Sequence, residues 1–164
     1  VFHLYVARHF DEAVAAAKDM QVRTPQVSVH WFLATVYWQQ GRFDEALQEE
    51  RLELERRGDP ILLAALVKGF DAAGPTGAMR AMAETQVVRA NESYVDPFDI
   101  GEIYARSGMT NEALYWLEKA VNHGSYPITY MAFRPDFDEL REDPRFRDLV
   151  DRVYGPGNPI SARP

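Results

Sequence analysis

Apolar residues return along this chain at helical spacing. Leu33/Tyr37, Leu66/Phe70 and Ile100/Tyr104 each stand four residues apart, which puts each pair on one face of a helix. A glycine follows four residues after each pair, at Gly41, Gly74 and Gly108, and glycine closes a helix in the left-handed conformation at little cost. A second amphipathic stretch then begins. It carries Phe43, Ala46, Leu47 and Leu54 in one case, and Ala113, Leu114, Leu117, Ala120 and Val121 in another. The small residues Ala13, Ala46 and Ala113 predict close approach of the two helices in a pair. Pro25, Pro60, Pro97 and Pro127 fall between pairs, where a missing N–H is tolerated. Asp143 reads as an N-cap, with Pro144 in the first turn of a last helix that sets Phe146, Leu149, Val150 and Val153 on one face. No stretch alternates apolar and polar residues strictly enough for a strand, so the expected class is all-α.

The helix pairs repeat. Arg8-His-Phe-Asp-Glu-Ala13, Gly41-Arg-Phe-Asp-Glu-Ala46, Gly74-Pro-Thr-Gly-Ala-Met79 and Gly108-Met-Thr-Asn-Glu-Ala113 begin 33, 33 and 34 residues apart. This pattern resembles the tetratricopeptide repeat. The fourth copy matches best, with Ile100-Gly101-x2-Tyr104, Gly108, Ala113, Leu117 and Ala120; the second follows with Leu33-Ala34-x2-Tyr37, Gly41 and Ala46. Met79 and the Pro75-Thr76-Gly77 start depart from the pattern in the third copy, and Glu50 and Glu53 depart from it in the second. The segment Arg134-Pro-Asp-Phe-Asp-Glu-Leu-Arg-Glu-Asp-Pro-Arg-Phe-Arg-Asp-Leu149, with Trp116-Leu-Glu-Lys-Ala120 before it, resembles the close of tetratricopeptide domains at the C-terminal end of bacterial signalling proteins. Those include winged-helix regulators, serine/threonine kinases and adenylate cyclases. The resemblance implies a short right-handed solenoid of about four helix pairs. The repeats are about 1–26, 27–59, 60–93 and 94–125, the closing helical segment is 126–153, and a Pro/Gly-rich tail covers 154–164. The closing segment is expected to cap the last repeat, whose apolar side would otherwise be wet.

In such a solenoid the first helices of successive pairs line a concave groove. The positions this implies for partner binding are Tyr5, Trp31, Thr35, Trp38, Gln39, Lys68, Asp71, Phe98, Glu102 and Arg106. Aromatic side chains on an open face mark a binding site, whereas the same tryptophans packed between repeats would be core. Chaperone-binding members of the family clamp a terminal carboxylate with Lys and Asn. Here the matching places hold Trp31, Thr35, Ala64 and Glu102, with only Lys68 basic, so a chaperone-tail receptor is not expected. The tail Gly155-Pro-Gly-Asn-Pro-Ile-Ser-Ala-Arg-Pro164 has the composition of a disordered terminus, yet an extended Pro-rich segment also suits an aromatic-lined groove.

Composition narrows the function classes. A net charge of −7 repels phosphate backbones, so no nucleic-acid partner is expected. The longest apolar run, Ile61 to Val67, is far too short to insert in a membrane. The absence of cysteine removes disulfides, zinc knuckles and a thiol nucleophile. Gly69-x4-Gly74 has phosphate-loop spacing, but Pro75-Thr76 replaces the required Lys-Ser/Thr. His3, His9, His30 and His123 never fall four apart on a helix, so no metal site is expected. Asp136, Asp138, Glu139, Glu142 and Asp143 lack the glycine and spacing of a calcium loop, and read as carboxylates at a helix start. No serine sits in a nucleophile elbow. The expected molecule is therefore a protein- or peptide-binding regulatory module without cofactor and without catalysis. A sensory domain holding a small molecule in an aromatic groove is the second reading, and a spacer or homodimerisation element the third. The chain opens on Val1-Phe2 and reads as a piece of a longer or processed protein, with an upstream domain expected.

Overall fold

The computed structural model describes residues 1–156, apart from the side chains of Tyr126 and Pro127. The described residues are helical, with no strand among them. In chain order the elements are α1 (Phe2–Val6), α2 (Phe10–Arg23), α3 (His30–Gln39), α4 (Phe43–Arg57), α5 (Pro60–Ala90), α6 (Pro97–Arg106) and α7 (Thr110–His123). Two 3₁₀ segments follow, Tyr126–Tyr130 and Pro135–Leu140, and then α8 (Pro144–Tyr154). Each α-helix packs on the next one in the chain.

α5 reverses direction inside its span. Ala73 and Gly74 leave the helical region, and Gly74 takes φ +66° and ψ −155°. A Cβ on Gly69 would fall 2.4 Å from the Gly77 carbonyl oxygen and 2.7 Å from the Ala81 Cβ. Residues eight apart in one straight helix stand about 12 Å apart, so residues 60–72 and 75–90 form a hairpin. The two glycines make up for Met79, which occupies the small-residue position and is buried with Ala13, Ala46 and Ala113. They also turn the helix face. Phe70, expected inside with Leu66, is 40% exposed, because Gly69 next to it takes the tight contact; Tyr37 and Tyr104 are buried as expected.

The hairpin turns share a residue with positive φ. Gly41, Gly74 and Gly108 have φ of +70°, +66° and +75°, and Arg8, at the equivalent position, has φ +61°. Holding a residue with a Cβ there costs about 1–2 kcal/mol, which a contact of its side chain must offset. The open ends of the hairpins are clasped by polar pairs. Ser28 Oγ donates to Glu53 at 2.5 Å, Arg89 donates twice to Asp59 at 2.7 and 2.8 Å, and Ser125 Oγ donates to Asp96 at 2.6 Å. Asp59, Asp96 and Asp143 also cap the helices they precede, each accepting a backbone N–H. Two apolar clusters result, one centred on Tyr5, Phe32, Leu33 and Tyr37, the other running from Leu47 to Val150, and Trp38 packs against both.

Candidate functional site

After α7 the chain does not simply cap the last pair. The segment Pro135–Leu140 lies back across α3 and α6, and reaches α1 at the opposite end of the sequence. Phe137 drives this placement. Its ring is fully buried, edge-on to Phe98 at 5.6 Å and tilted on Phe146 at 5.9 Å. Pro135 enters the 3₁₀ turn without an N–H to satisfy, and Arg134 before it is extended, with φ −73° and ψ 131°.

With Phe137 anchored, the residues on either side face a buried charge network. Tyr5 donates its hydroxyl to Asp136 Oδ2 at 2.5 Å, and Arg134 Nε donates to the same oxygen at 2.8 Å. Arg134 also pairs with Glu102 at 2.7 Å, Glu102 accepts from Arg106 at 2.9 Å, and Arg106 lies 3.8 Å from Glu50. One connected set of charges thus joins α1, α4, α6 and the closing segment. Burial alone would raise the Asp136 carboxyl, but the charges of Arg134 and Arg106 and the Tyr5 hydrogen bond outweigh it and hold it below the usual range. Burial, then the Asp136 charge, push the Tyr5 phenol up, so it stays a neutral donor. Burial raises the Glu50 carboxyl despite Arg106. At the rim, Arg8 reaches Asp138 at 2.6 and 2.7 Å, the contact that accompanies its left-handed backbone.

Between α3, α6 and the closing segment a recess of about 360 Å³ stays open, walled by Trp38, Gln39, Phe43, Arg106, Asp136 and Glu139 among others. Trp38 and Phe43 meet edge to face at 4.9 Å. Arg106 Nε and Asp136 Oδ1, both buried away from solvent, have no hydrogen-bond partner among the described residues.

The groove positions expected from the sequence therefore separate. Tyr5, Phe98, Glu102 and Arg106 come together, but they are buried under the closing segment instead of facing open solvent. Trp38 and Gln39 join Arg106 in the recess. Trp31 is 44% exposed at the start of α3, while Thr35 is buried and donates its hydroxyl to the Trp31 carbonyl at 2.9 Å. Lys68 and Asp71 lie elsewhere. Lys68 borders a recess beside Arg80 and Glu84 between the arms of α5, and Asp71 borders another with Asp44 and Arg51 against α4. The tail beyond Pro156, expected to suit an aromatic groove, lies outside the described residues.

The acidic cluster read as a helix start divides as well. Asp143 caps α8, whereas Asp136 and Asp138 sit in the 3₁₀ segment and pair with Arg134 and Arg8. Arg134, Asp136 and Glu50 are not among the groove positions expected from the sequence. One signal was present: Arg8 stands where the other repeats carry glycine, and only a specific contact justifies that. Among the described residues no three His, Cys, Asp or Glu side chains converge as a metal would need, and no helix is long and apolar enough to cross a membrane.

Glu53, an outlier to the repeat pattern, is buried yet satisfied. Burial would raise its carboxyl, but hydrogen bonds from Arg56, Ser28 and Arg57 prevail and bring it down to about 2. A folded-state value below the unfolded one gives stability that is present above pH about 4.5 and lost as pH falls toward 2. Glu53→Gln should therefore be less stable than the parent by up to about 3 kcal/mol above pH 5, with the two converging near pH 2. Urea unfolding across that range checks this. A constant difference at every pH would mean the ionised carboxylate is not what matters.

No family model, curated protein or solved structure matches the chain.

Proposed function

We propose that this chain is a tetratricopeptide-type helical solenoid that binds a segment of another protein and serves as a regulatory interaction module in a bacterial signalling protein. One observation carries the reading. Trp31 and Trp38 stand seven residues apart on α3, hence on the same face, and both rings remain partly open. An exposed indole is a costly surface to leave wet and a frequent centre of binding energy. The 33- to 34-residue period and the positive φ at Arg8, Gly41, Gly74 and Gly108 support the repeat assignment. The charged groups at the centre of the domain are paired with one another, which suits a binding scaffold better than an acid–base catalyst.

The partner face consists of Trp31 and Trp38 with Gln39 at its end. Trp31→Ala should weaken binding of a partner segment by about 2 kcal/mol or more while lowering stability by less than about 1 kcal/mol. Trp38→Ala should cost more in stability, since that ring packs on both apolar clusters. Partners are sought by cross-linking from Trp31 replaced with a photoreactive phenylalanine analogue, and calorimetry then measures each variant. Binding unchanged in Trp31→Ala would sink the assignment of this face.

A further inference from the structure

The recess between α3, α6 and the closing segment opens beside Trp38, and its accessible walls are of two kinds. One is aromatic. Trp38 is half-buried and Phe43 is 39% exposed, and their rings meet edge to face at 4.9 Å. The other is acidic. Asp138 and Glu139 both border the opening, the first with its side chain 37% exposed and the second exposed. A volume of about 360 Å³ has room for one long side chain of a partner.

The charged groups around this opening are engaged, with one exception. Asp138 pairs with Arg8 and Arg141. Asp136, fully buried, pairs with Arg134, and Arg106, nearly so, pairs with Glu102 at 2.9 Å. Arg42, which precedes Phe43, pairs with Glu45 and lies over the Tyr37 ring. Glu139 has no hydrogen bond or ion pair among the described residues. An uncompensated carboxylate next to open aromatic rings complements a cation, because the ring faces carry partial negative charge. The net charge of −7 favours approach of the same sign of partner.

Of the two basic side chains, arginine suits these walls better. Its planar guanidinium is weakly hydrated, and it can lie on an aromatic ring while its N–H groups bond a carboxylate. An ammonium has a tighter hydration shell to lose. The chain uses this arrangement within its own fold, where Arg134 lies over the Phe98 and Phe137 rings while pairing with Glu102 and Asp136.

We propose that the recess receives an arginine side chain of the partner segment, its guanidinium against Trp38 and Phe43 and its N–H groups on the Glu139 carboxylate. The proposal rests on the partner face described above and specifies that partner as a basic segment.

The probe is N-acetyl-L-argininamide, titrated into the full ¹⁵N-labelled chain while NMR follows the indole N–H signals of Trp31, Trp38 and Trp116. Trp31→Phe and Trp116→Phe assign those signals by removing one each. The Trp38 signal should shift saturably, with half-saturation at roughly 1–20 mM, and the Trp116 signal should stay in place. N-acetyl-L-citrullinamide, which keeps the shape and lacks the charge, should bind at least about tenfold more weakly, and N-acetyl-L-lysinamide about threefold more weakly. Glu139→Gln and Phe43→Leu, both at exposed positions, should each weaken argininamide binding by about threefold or more with little change in melting temperature. Raising the salt from about 0.05 to 0.5 M should weaken it severalfold. No shift of Trp38 at about 100 mM argininamide, or equal binding of the citrulline probe, would overturn the proposal. So would stronger binding of the lysine probe or full binding by Glu139→Gln. The outcome is separable from that of the partner face. Absence of argininamide binding, together with loss of partner binding in Trp31→Ala, would keep the face and remove the recess from it. Argininamide binding at Trp38 with partner binding intact in Trp31→Ala would overturn the face and keep the arginine recess.

Discussion

A chain ending at residue 133 is expected to melt at least about 10 °C below the full protein and to aggregate when warmed. The lost residues include Phe137, Leu140, Phe146, Leu149 and Val150, all buried, and each such side chain contributes roughly 1.5–3 kcal/mol when removed from water. The damage spreads beyond the cut. Phe98 loses the ring it meets edge-on, α7 loses the helix packed against it, and Tyr5 at the far end loses its acceptor. A terminal appendage would behave differently, since its removal would expose only the last pair. Differential scanning calorimetry of the two chains decides the matter, and equal melting temperatures would show that the closing segment is not integral to the fold.

Arg134→Met should lower stability by about 3–5 kcal/mol, close to the largest effect of any single surface-distant substitution here. Methionine preserves much of the volume and removes the charge. Glu102 and Asp136, both buried, then keep Arg106 and the Tyr5 hydroxyl as their hydrogen-bond donors among the described residues. Breaking one partner out of a buried set costs far more than the set contributes over an apolar replacement, because the stranded carboxylates remain desolvated. The guanidinium also lies over the Phe98 and Phe137 rings, at 5.5 and 5.9 Å, so its removal loosens the aromatic contact that anchors the segment. Urea denaturation at neutral pH measures the loss. A loss below about 1 kcal/mol would mean that water enters and solvates the carboxylates, and the network would then contribute little to holding the closing segment.

How much of this was legible in advance depends on whether the cause is local. The helices, their caps and their phasing follow from short-range rules. Leu33/Tyr37 and Ile100/Tyr104 share helix faces because 3.6 residues make a turn, and Asp143 caps α8 because its carboxylate reaches the backbone N–H two residues on. The third pair shows the limit of such reasoning. Its turn at Gly74 was readable, but the exposure of Phe70 depends on Gly69 meeting Gly77 across the hairpin, a contact between side-chain-free surfaces that leaves no apolar signature.

The site lay further out of reach. An acidic run with an adjacent arginine has the same sequence appearance whether it coats a helix start or folds inward. What distinguishes Asp136 from Asp143 is which partners stand within 3 Å, and for Asp136 one of them is Tyr5, 131 residues away. Sequence alone determined an all-helical chain of repeating pairs, with aromatic residues on α3 marked for attention, because periodicity and capping are properties of neighbouring residues. Tertiary structure alone decided that Phe98, Glu102 and Arg106 are covered by the chain's own closing segment and that Trp31 remains outside. It also decided that Trp38 borders a charged recess, because burial and ion pairing depend on groups that only folding brings together.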